Sequence, residues 1–422
     1  MAFRDHLGQA RIIAKPTSCI HGLFDTSVSE KNCILLFENL IEAKGHRAAL
    51  NLLTRDRLAK TLNVPAADLV DILGEAMKSP INPEVISADN APVMENQQLE
   101  TNLDLLPIPW HYRQDRGRYM SASIVIAEYQ GQRNVSFHRQ FLRDSTHVVA
   151  RLVPRHLRTM LDEARAVGET IPIAIVNAPD PVVLLAAAMS FDEKIDELTI
   201  AASLHETLYS KPLDLVELDN GILVPADSEY AMSATITLED DDEGPYVDIT
   251  GTLDQVRQEP VIEIHNIYHR NDPIFHALIP AEAEHRTLMG LPRAPSIKQA
   301  VSQVCDVVDV YLTEGGCGWL SAVISLRPQS NEDGRKAIDA ALSGHRSMKQ
   351  VTVVDDDIDI SNPVHVEWAM MTRWQPDRDT IILSGQKGSS LDPSRDIDGL
   401  TSKVGFDATI RMEADRREYT TV

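Results

Sequence analysis

Short strand-like segments, separated by turn residues, fill most of the chain between residues 106 and 300. Ser121–Tyr129 and Asn134–Leu142 lie on either side of Gln130–Arg133, a connection with the length and the glycine that hairpins use. A second hairpin is predicted around Asp219–Gly221, and helical stretches interrupt the strand pattern. The pattern therefore predicts an antiparallel β core, built as a barrel or a sandwich, with inserted helices.

The two ends of the chain have a different pattern. The first hundred residues carry apolar residues at helical spacing between short strand-like segments, which indicates an α/β region. Beyond residue 300, the strands Trp319–Leu326, Gln350–Ile360 and Asp379–Ser384 alternate with helices, and this order is typical of a parallel sheet. We therefore expect three domains, at residues 1–105, 106–300 and 301–422.

The composition excludes several classes of partner. With 63 acidic and 40 basic residues the formal net charge is −23, and such a surface repels nucleic acid and anionic lipid. The longest apolar run, Val182–Met189, is far shorter than the roughly 20 residues that span a bilayer. Four scattered cysteines favour neither a disulfide framework nor a zinc site. We therefore expect a cytoplasmic protein that binds neither nucleic acid nor membrane.

A predicted helix beginning at Pro154 carries Arg155, His156 and Arg158 in its first turn. Positive charge at a helix N-terminus opposes the macrodipole, whereas a bound anion such as phosphate would make the same charges favourable. The alternative is that these side chains extend into solvent.

The strand that begins at Asn134 is unusually polar on one side. Alternation places Asn134, Ser136 and His138 on one face, and Phe137 and Arg139 on the other. Such a strand lines either a binding site or solvent. If Asn134 and Arg139 serve the same site, a bulge or a strand end must change the direction of one of them.

An acidic run, Glu239–Glu243, leads through Gly244 and Pro245 to a short apolar segment that ends at Asp248. Glu243 and Asp248 therefore bracket a turn. Crowding raises the pKa of a carboxyl group, as a general acid near neutral pH requires. The alternative is a solvated acidic loop.

Taken together and in this order, the motifs resemble the UbiD family of reversible decarboxylases, which use prenylated FMN. The resemblance covers most of the chain and is weakest in the first hundred residues. The motifs that carry it are Asn134–Arg139, Pro154–His156, Val224–Glu229, Glu243–Asp248, His269–Pro273, Asp355–Ile360 with Glu367–Ala369, and Ser390–Ser394.

The resemblance implies two sets of site residues. A divalent metal, typically Mn²⁺, bridges to the cofactor phosphate in the family, and the matching ligands are Asn134, His156 and Glu229; K⁺ is a second candidate ion. The acid–base set of the family matches Arg139, Glu243 and Asp248. The resemblance also implies cofactor contacts at Asn134, Ser136, Phe137, His138, Arg139, Arg155, His156 and Glu229.

The resemblance also refines the expected fold and partners. It implies a central split β-barrel-like domain that carries the cofactor, between an N-terminal α/β region and a C-terminal α/β domain that aids oligomerisation. A homo-oligomer, either a dimer or a hexamer, is expected. A flavin prenyltransferase is the expected supplier of the cofactor.

Several short motifs look most like a branch that decarboxylates trans-anhydromevalonate 5-phosphate to isopentenyl phosphate in isoprenoid biosynthesis. The implied reaction is non-oxidative and proceeds through a covalent adduct between prenylated FMN and an α,β-unsaturated acid. A phosphorylated substrate needs a second anion site, for which His269, Arg270 and Lys349 are candidates. The alternatives are a heteroaromatic acid decarboxylase of the furan-2,5-dicarboxylate type and a non-catalytic flavin- or metal-binding scaffold.

Overall fold

The computed structural model describes residues 1–191 and 195–419. The chain divides into two compact units, one formed by residues 1–63 and 76–285, the other by residues 64–75 and the chain from residue 286 onward. The three-domain division, with boundaries near residues 105 and 300, stays a prediction. None of the described helices is both long enough and apolar enough to span a membrane.

The described residues form ten α-helices and 23 strands. The helices are α1 (Gly22–Val28), α2 (Arg55–Thr61), α3 (Leu69–Lys78), α4 (His156–Ala166), α5 (Pro181–Ala188), α6 (Glu197–Tyr209), α7 (Ala283–Gly290), α8 (Ala294–Ser302), α9 (Asp333–Gly344) and α10 (Pro363–Arg373). The strands are β1 (Arg11–Ile13), β2 (Leu35–Phe37), β3 (Arg47–Leu50), β4 (Glu84–Val85), β5 (Asn96–Gln97), β6 (Tyr119–Met120), β7 (Ile124–Tyr129), β8 (Gln132–Phe137), β9 (Gln140–Leu142), β10 (His147–Ala150), β11 (Ile171–Asn177), β12 (Asp214–Glu217), β13 (Leu223–Pro225), β14 (Tyr230–Glu243), β15 (Tyr246–Val247), β16 (Leu253–Asp254), β17 (Arg257–His269), β18 (Ile274–His276), β19 (Val307–Leu312), β20 (Ser321–Leu326), β21 (Gln350–Asp355), β22 (Thr380–Lys387) and β23 (Leu400–Ala408).

The antiparallel core predicted for the centre of the chain is confirmed. Its largest sheet runs β6-β9-β10-β17-β14-β11-β7-β8, with β5 paired to β17 outside this path. The path is open, so within the described residues this sheet does not close into a barrel. The β7–β8 hairpin turns at Gln130 and Gly131, which both have positive φ, and the connection is therefore two residues long rather than four.

Helix α4 lies against the apolar core of this unit through Leu157, Met160, Leu161 and Ala164. Their spacing of three and four residues puts them on one helical face. Burying each of the larger side chains is worth roughly 1.5–3 kcal/mol. The predicted helix is thus confirmed, although it begins at His156, two residues later than expected.

The first hundred residues are α/β, as predicted. Strands β1, β2 and β3 form a four-stranded sheet with β18, in the order β1-β2-β3-β18. The β1–β2 and β3–β18 pairs are parallel and the β2–β3 pair is antiparallel.

The second unit holds a five-stranded sheet in the order β19-β20-β21-β23-β22. Only the β20–β21 and β21–β23 pairs are parallel. The prediction of a parallel sheet made of Trp319–Leu326, Gln350–Ile360 and Asp379–Ser384 was therefore wrong in its third strand. That segment lies in β22, which pairs antiparallel with β23 at the sheet edge, so β23 occupies the position beside β21.

The end of β14 depends on a glycine. Gly244 has a φ of 91°, and a Cβ atom there would lie 2.8 Å from the carbonyl oxygen of Gln255. Gly131 also has a positive φ, 73°, but has open space around it. Comparing substitutions at the two positions therefore distinguishes the cost of the backbone conformation from the cost of a steric clash.

We expect Gly131→Ala to cost about 1–2 kcal/mol of unfolding free energy, because an L-residue is strained at positive φ. Gly244→Ala should cost more, because it adds a clash with backbone that cannot rotate away. Urea unfolding midpoints of the two variants measure the difference. Equal losses would mean that the segment at Gln255 moves aside at no cost.

Candidate functional site

Arg139 lies in the link between β8, which ends at Phe137, and β9, which begins at Gln140. The strand end thus changes the direction of the chain, one of the two possibilities that the sequence left open. The Arg139 side chain is 8% exposed, and its guanidinium group lies over the Tyr246 ring, with Cζ 4.6 Å from the ring centroid. A cation buried this deeply requires anionic partners.

Three carboxylates surround this guanidinium. Nε and Nη2 bind the two oxygens of Glu243 at 2.9 and 2.8 Å, a parallel pair of bonds. Nη1 donates to Asp248 Oδ2, and Nη2 also donates to Asp254 Oδ2 at 2.8 Å. These contacts use four of the five N–H groups that an arginine has. The structure therefore brings the three predicted catalytic residues together and adds Asp254, which sequence reasoning missed.

A second arginine balances part of the negative charge. Arg257 Nη1 donates to the same oxygen of Asp254, Oδ2, at 2.7 Å. Burial alone would raise the pKa of Asp254, but Arg257 and Arg139 outweigh burial and lower the pKa to about 2. Asp254 is therefore ionised at neutral pH and joins the two guanidinium groups.

Neighbouring groups hold the turn after Glu243. Asp115 Oδ1 accepts the backbone N–H of Val247 at 2.7 Å, and burial raises the pKa of Asp115 to about 6. The Tyr246 hydroxyl lies 2.8 Å from Ser121 Oγ. These bonds fix the segment between Glu243 and Asp248, so that both carboxylates reach one guanidinium.

The polar face predicted for β8 is confirmed. Ser136 Oγ lies 3.0 Å from Asn134 Oδ1 and 2.9 Å from His138 Nε2. His138 Nδ1 lies 3.0 Å from the carbonyl oxygen of Arg151, and burial lowers the pKa of His138 to about 4. A neutral His138 that donates from Nδ1 leaves Nε2 as an acceptor.

This arrangement has too few protons. The single hydroxyl hydrogen of Ser136 can serve either Asn134 Oδ1 or His138 Nε2, but not both. One lone pair in a buried place is therefore left without a donor, and a bound cation or ligand N–H would satisfy it. The chemistry of these groups fits the oxygen and nitrogen ligands that Mn²⁺ accepts.

Glu197, the first residue of α6, lies beside Asn134 and was also missed. Its Oε1 accepts from Asn134 Nδ2 at 3.2 Å and its Oε2 accepts from the backbone of Val135 at 2.8 Å. Burial raises the pKa of Glu197 to about 8. Acidic residues are common at helix starts, so no signal in the sequence distinguished Glu197 from an ordinary helix start.

Glu229 has different partners. It is fully buried, and Arg4 binds its two oxygens at 2.7 and 2.6 Å while the Ile274 backbone donates at 3.0 Å. His156 is the first residue of α4 and is half-buried, and its imidazole makes no hydrogen bond to any described residue. Among the described residues, no three His, Cys, Asp or Glu side chains are grouped closely enough to hold a metal ion. The structure thus gives Asn134 a carboxylate neighbour in Glu197, and Glu229 an ion pair.

The other predicted cofactor contacts lie close to this polar face. Arg155 is the residue before α4, and its Nη1 donates to Ser190 Oγ at 2.6 Å. Burial is the largest cause of the lowered pKa of His138, and the positive charges of Arg151 and Arg155 lower it further. Phe137 pairs with Ile124 at the end of β8. Two arginines thus lie near a neutral histidine, and the charge of Arg151 is offset by its ion pair with Glu259.

The three candidates for a substrate phosphate site each bind an acceptor in their own unit. In the first unit His269 Nδ1 lies 2.8 Å from the Arg270 carbonyl oxygen, and Arg270 Nη1 donates to the Asp227 carbonyl oxygen at 3.2 Å. In the second unit Lys349 Nζ donates to Asp392 at 2.9 Å. Their assignment to a phosphate site stays a prediction.

Comparison with known proteins gives consistent results. Residues 84–283 match the UbiD family domain described as 3-octaprenyl-4-hydroxybenzoate carboxy-lyase Rift-related domain, and residues 286–408 match the C-terminal domain of that carboxy-lyase. The anhydromevalonate phosphate decarboxylase of Methanosarcina mazei is 41% identical over 418 residues, which cover 97% of this chain and 96% of that protein. The protein of the same name from Methanocaldococcus jannaschii is 39% identical over 381 residues, 90% and 89% of the two chains.

Solved structures agree. The UbiD-class enzyme HmfF from Pelotomaculum thermopropionicum, in complex with FMN, aligns with a TM-score of 0.94 and 32% identity, over 100% of this chain and 97% of that chain. An evolved dimeric form of HmfF in complex with prFMN aligns with a TM-score of 0.89 and 31% identity over the same shares. The family matches span most of the chain, and the relatives exceed 30% identity over nearly all of it. The chain therefore belongs to the UbiD family of carboxy-lyases.

Proposed function

We propose that this protein is a prenylated-FMN-dependent decarboxylase that converts trans-anhydromevalonate 5-phosphate to isopentenyl phosphate in isoprenoid biosynthesis. The observation that carries the proposal is the buried Arg139 bound by Glu243 and Asp248. The likeness to decarboxylases of this name, near 40% identity over almost the whole chain, supports the substrate. A non-catalytic scaffold is the alternative, and the likeness to named decarboxylases over almost the whole chain argues against it.

Arg139, Glu243 and Asp248 would have different roles in the reaction. Prenylated FMN, when bound, supplies the electron sink that loss of CO₂ from an unsaturated carbon requires. Arg139 pairs with the substrate carboxylate and orients it, while the two parallel bonds from Glu243 keep the guanidinium in place. Asp248 delivers the proton to the carbon that CO₂ leaves. Asp248 suits this role because it is 15% exposed, whereas Glu243 is fully buried.

For the cofactor phosphate and its metal we propose the region around Asn134, with His156 and a carboxylate completing the ligands of Mn²⁺, and with K⁺ as a second candidate ion. The lone pair left over at Asn134 and His138 supports this placement. The contact with Asn134 favours Glu197 as the carboxylate, whereas the sequence resemblance favours Glu229. Ser136, Phe137 and Arg155 would complete the cofactor contacts.

The proposal has consequences for assembly and supply. A flavin prenyltransferase is the expected source of the cofactor. The chain is expected to form a homo-oligomer, and a dimeric form of HmfF is the relevant comparison. We place the reaction in the cytoplasm, in keeping with the acidic composition. We also propose that the central domain is a split β-barrel-like domain that carries the cofactor.

The substrate is tested by CO₂ release after co-expression with a flavin prenyltransferase. We expect turnover of trans-anhydromevalonate 5-phosphate and competitive inhibition by small phosphomonoesters. Furan and pyrrole carboxylates serve as comparison substrates. Turnover of these acids, with none of the phosphorylated acid, would favour the heteroaromatic alternative.

Asp248→Asn tests the proton donor, because asparagine keeps the shape and removes the acid. We expect normal flavin and metal content, with turnover and the exchange of product hydrogen in D₂O both lowered on the order of 10²–10⁴-fold. Asp240→Asn is the matched control, since Asp240 pairs with Arg165 at the surface. Normal exchange in Asp248→Asn would move the role to Glu243.

Glu197→Gln and Glu229→Gln, the same change at two buried sites, decide the metal ligand. We expect Glu197→Gln to lose bound Mn²⁺, measured by elemental analysis of the purified protein. Glu229→Gln should keep the metal but lower the melting temperature, because Arg4 loses its charged partner. The reverse result would support the ligand set that the resemblance implies.

A further inference from the structure

Arg257 is an arginine of the catalytic cluster that the proposed mechanism does not use. It is the first residue of β17 and lies directly opposite Glu243 on β14. Residues paired in this way have side chains on the same face, with Cβ atoms about 4.5–5.5 Å apart. Arg257 and Arg139 also donate to the same oxygen of Asp254, at 2.7 and 2.8 Å. The fold therefore holds a second guanidinium beside the first.

The donors of Arg257 are only partly used. Both side-chain hydrogen bonds of Arg257 come from Nη1, which donates to Asp254 and to the Gln255 carbonyl oxygen at 3.1 Å. Its Nε and Nη2 donate to no acceptor in the described part of the chain, and the side chain is 25% exposed. These two N–H groups point in parallel from one edge of the guanidinium, which is the geometry that binds two oxygens of a phosphate.

We propose that Arg257 binds the phosphate of a substrate whose carboxylate pairs with Arg139. This inference rests on the proposed function and names the group that recognises the far end of its substrate. Asp254 orients Arg257 through Nη1, so a phosphate can bind the Nε–Nη2 edge without breaking that ion pair. Arg139, already shared by three carboxylates, has only one unused N–H group for a further anion.

The length of the substrate agrees with the binding of its carboxylate by Arg139 and of its phosphate by Arg257. Six bonds separate the carboxyl carbon from the phosphorus in trans-anhydromevalonate 5-phosphate, a reach of roughly 7 Å when extended. The two nitrogen atoms that share Asp254 Oδ2, Arg139 Nη2 and Arg257 Nη1, lie 2.8 and 2.7 Å from it and are therefore closer to each other than this reach. The exposed fraction of the side chain also rises from Arg139, at 8%, to Arg257, at 25%. The carboxylate would thus be held in the interior and the phosphate nearer to solvent.

The test measures binding of isopentenyl phosphate, a phosphomonoester without a carboxylate, to the flavin-loaded enzyme by calorimetry. We expect Arg257→Gln to weaken binding on the order of 10–100-fold, because it removes two charge-assisted hydrogen bonds. Arg257→Lys keeps the charge but not the parallel donors, so its loss should be intermediate. Arg143→Gln is the matched control, since Arg143 pairs with Glu239 and Asp241 in the same acidic strand.

A second ligand, 3-methylbut-2-enoic acid, has the carboxylate and lacks the phosphate. Its affinity should be the same in wild type and Arg257→Gln. Equal weakening of both ligands would mean that Arg257 only positions Arg139, and would overturn the proposal. Loss of flavin from Arg257→Gln, with normal binding of the phosphomonoester to the remaining holoenzyme, would assign Arg257 to the cofactor phosphate and overturn it as well.

The phosphate site at Arg257 and the proposed function can each fail without the other. If the wild type binds the phosphomonoester through Arg257 but releases no CO₂ from the phosphorylated acid, the anion site stands and the substrate is wrong. If CO₂ is released and Arg257→Gln binds normally, the function stands and this site is wrong. Arg257→Lys keeps the question decidable if Arg257→Gln does not fold.

Discussion

The ion-pair cluster at Arg139 is the interaction on which the arrangement of the first unit depends. A buried guanidinium group costs several kcal/mol in lost hydration unless charged partners offset it. Here the partners come from separate segments: Glu243 ends β14, Asp248 follows β15 and Asp254 lies in β16. A single cation can bind all three only if these strand ends converge. Asp115, which accepts the Val247 backbone N–H, and Ser121, beside the Tyr246 hydroxyl, hold that convergence in place.

The local parts of this site could be predicted from the sequence. Period-two alternation placed Asn134, Ser136 and His138 on one face, and the local sequence identified the helix that begins near Pro154. These features depend on neighbours within a few residues of each other. The family resemblance then selected Arg139, Glu243 and Asp248, which neither alternation nor helical spacing could have joined.

The residues that were missed depend on contacts between distant segments. Glu197 becomes distinctive only when α6 brings it to Asn134, and Arg4, which binds the predicted residue Glu229, lies more than 200 positions from it in the chain. Asp254 lies in a strand of two residues, too short to produce any periodic signal. The edge strand of the second unit escaped for a related reason, because antiparallel pairing of β22 with β23 depends on a partner that the pattern of β22 does not specify.

The division of the chain into units has a consequence for how the protein is made. Residues 64–75 belong to the second unit, although residues 76–285 return to the first. Lys298, in the second unit, binds Asp71 at 2.6 Å. A ribosome releases the chain from its N-terminus, so residues 64–75 cannot complete their packing until the chain beyond residue 286 has emerged. Until then the apolar side chains of Leu69, Val70 and Leu73, which are buried in the folded protein, stay uncovered. The first unit can begin to fold during synthesis, whereas the second can be completed only near its end.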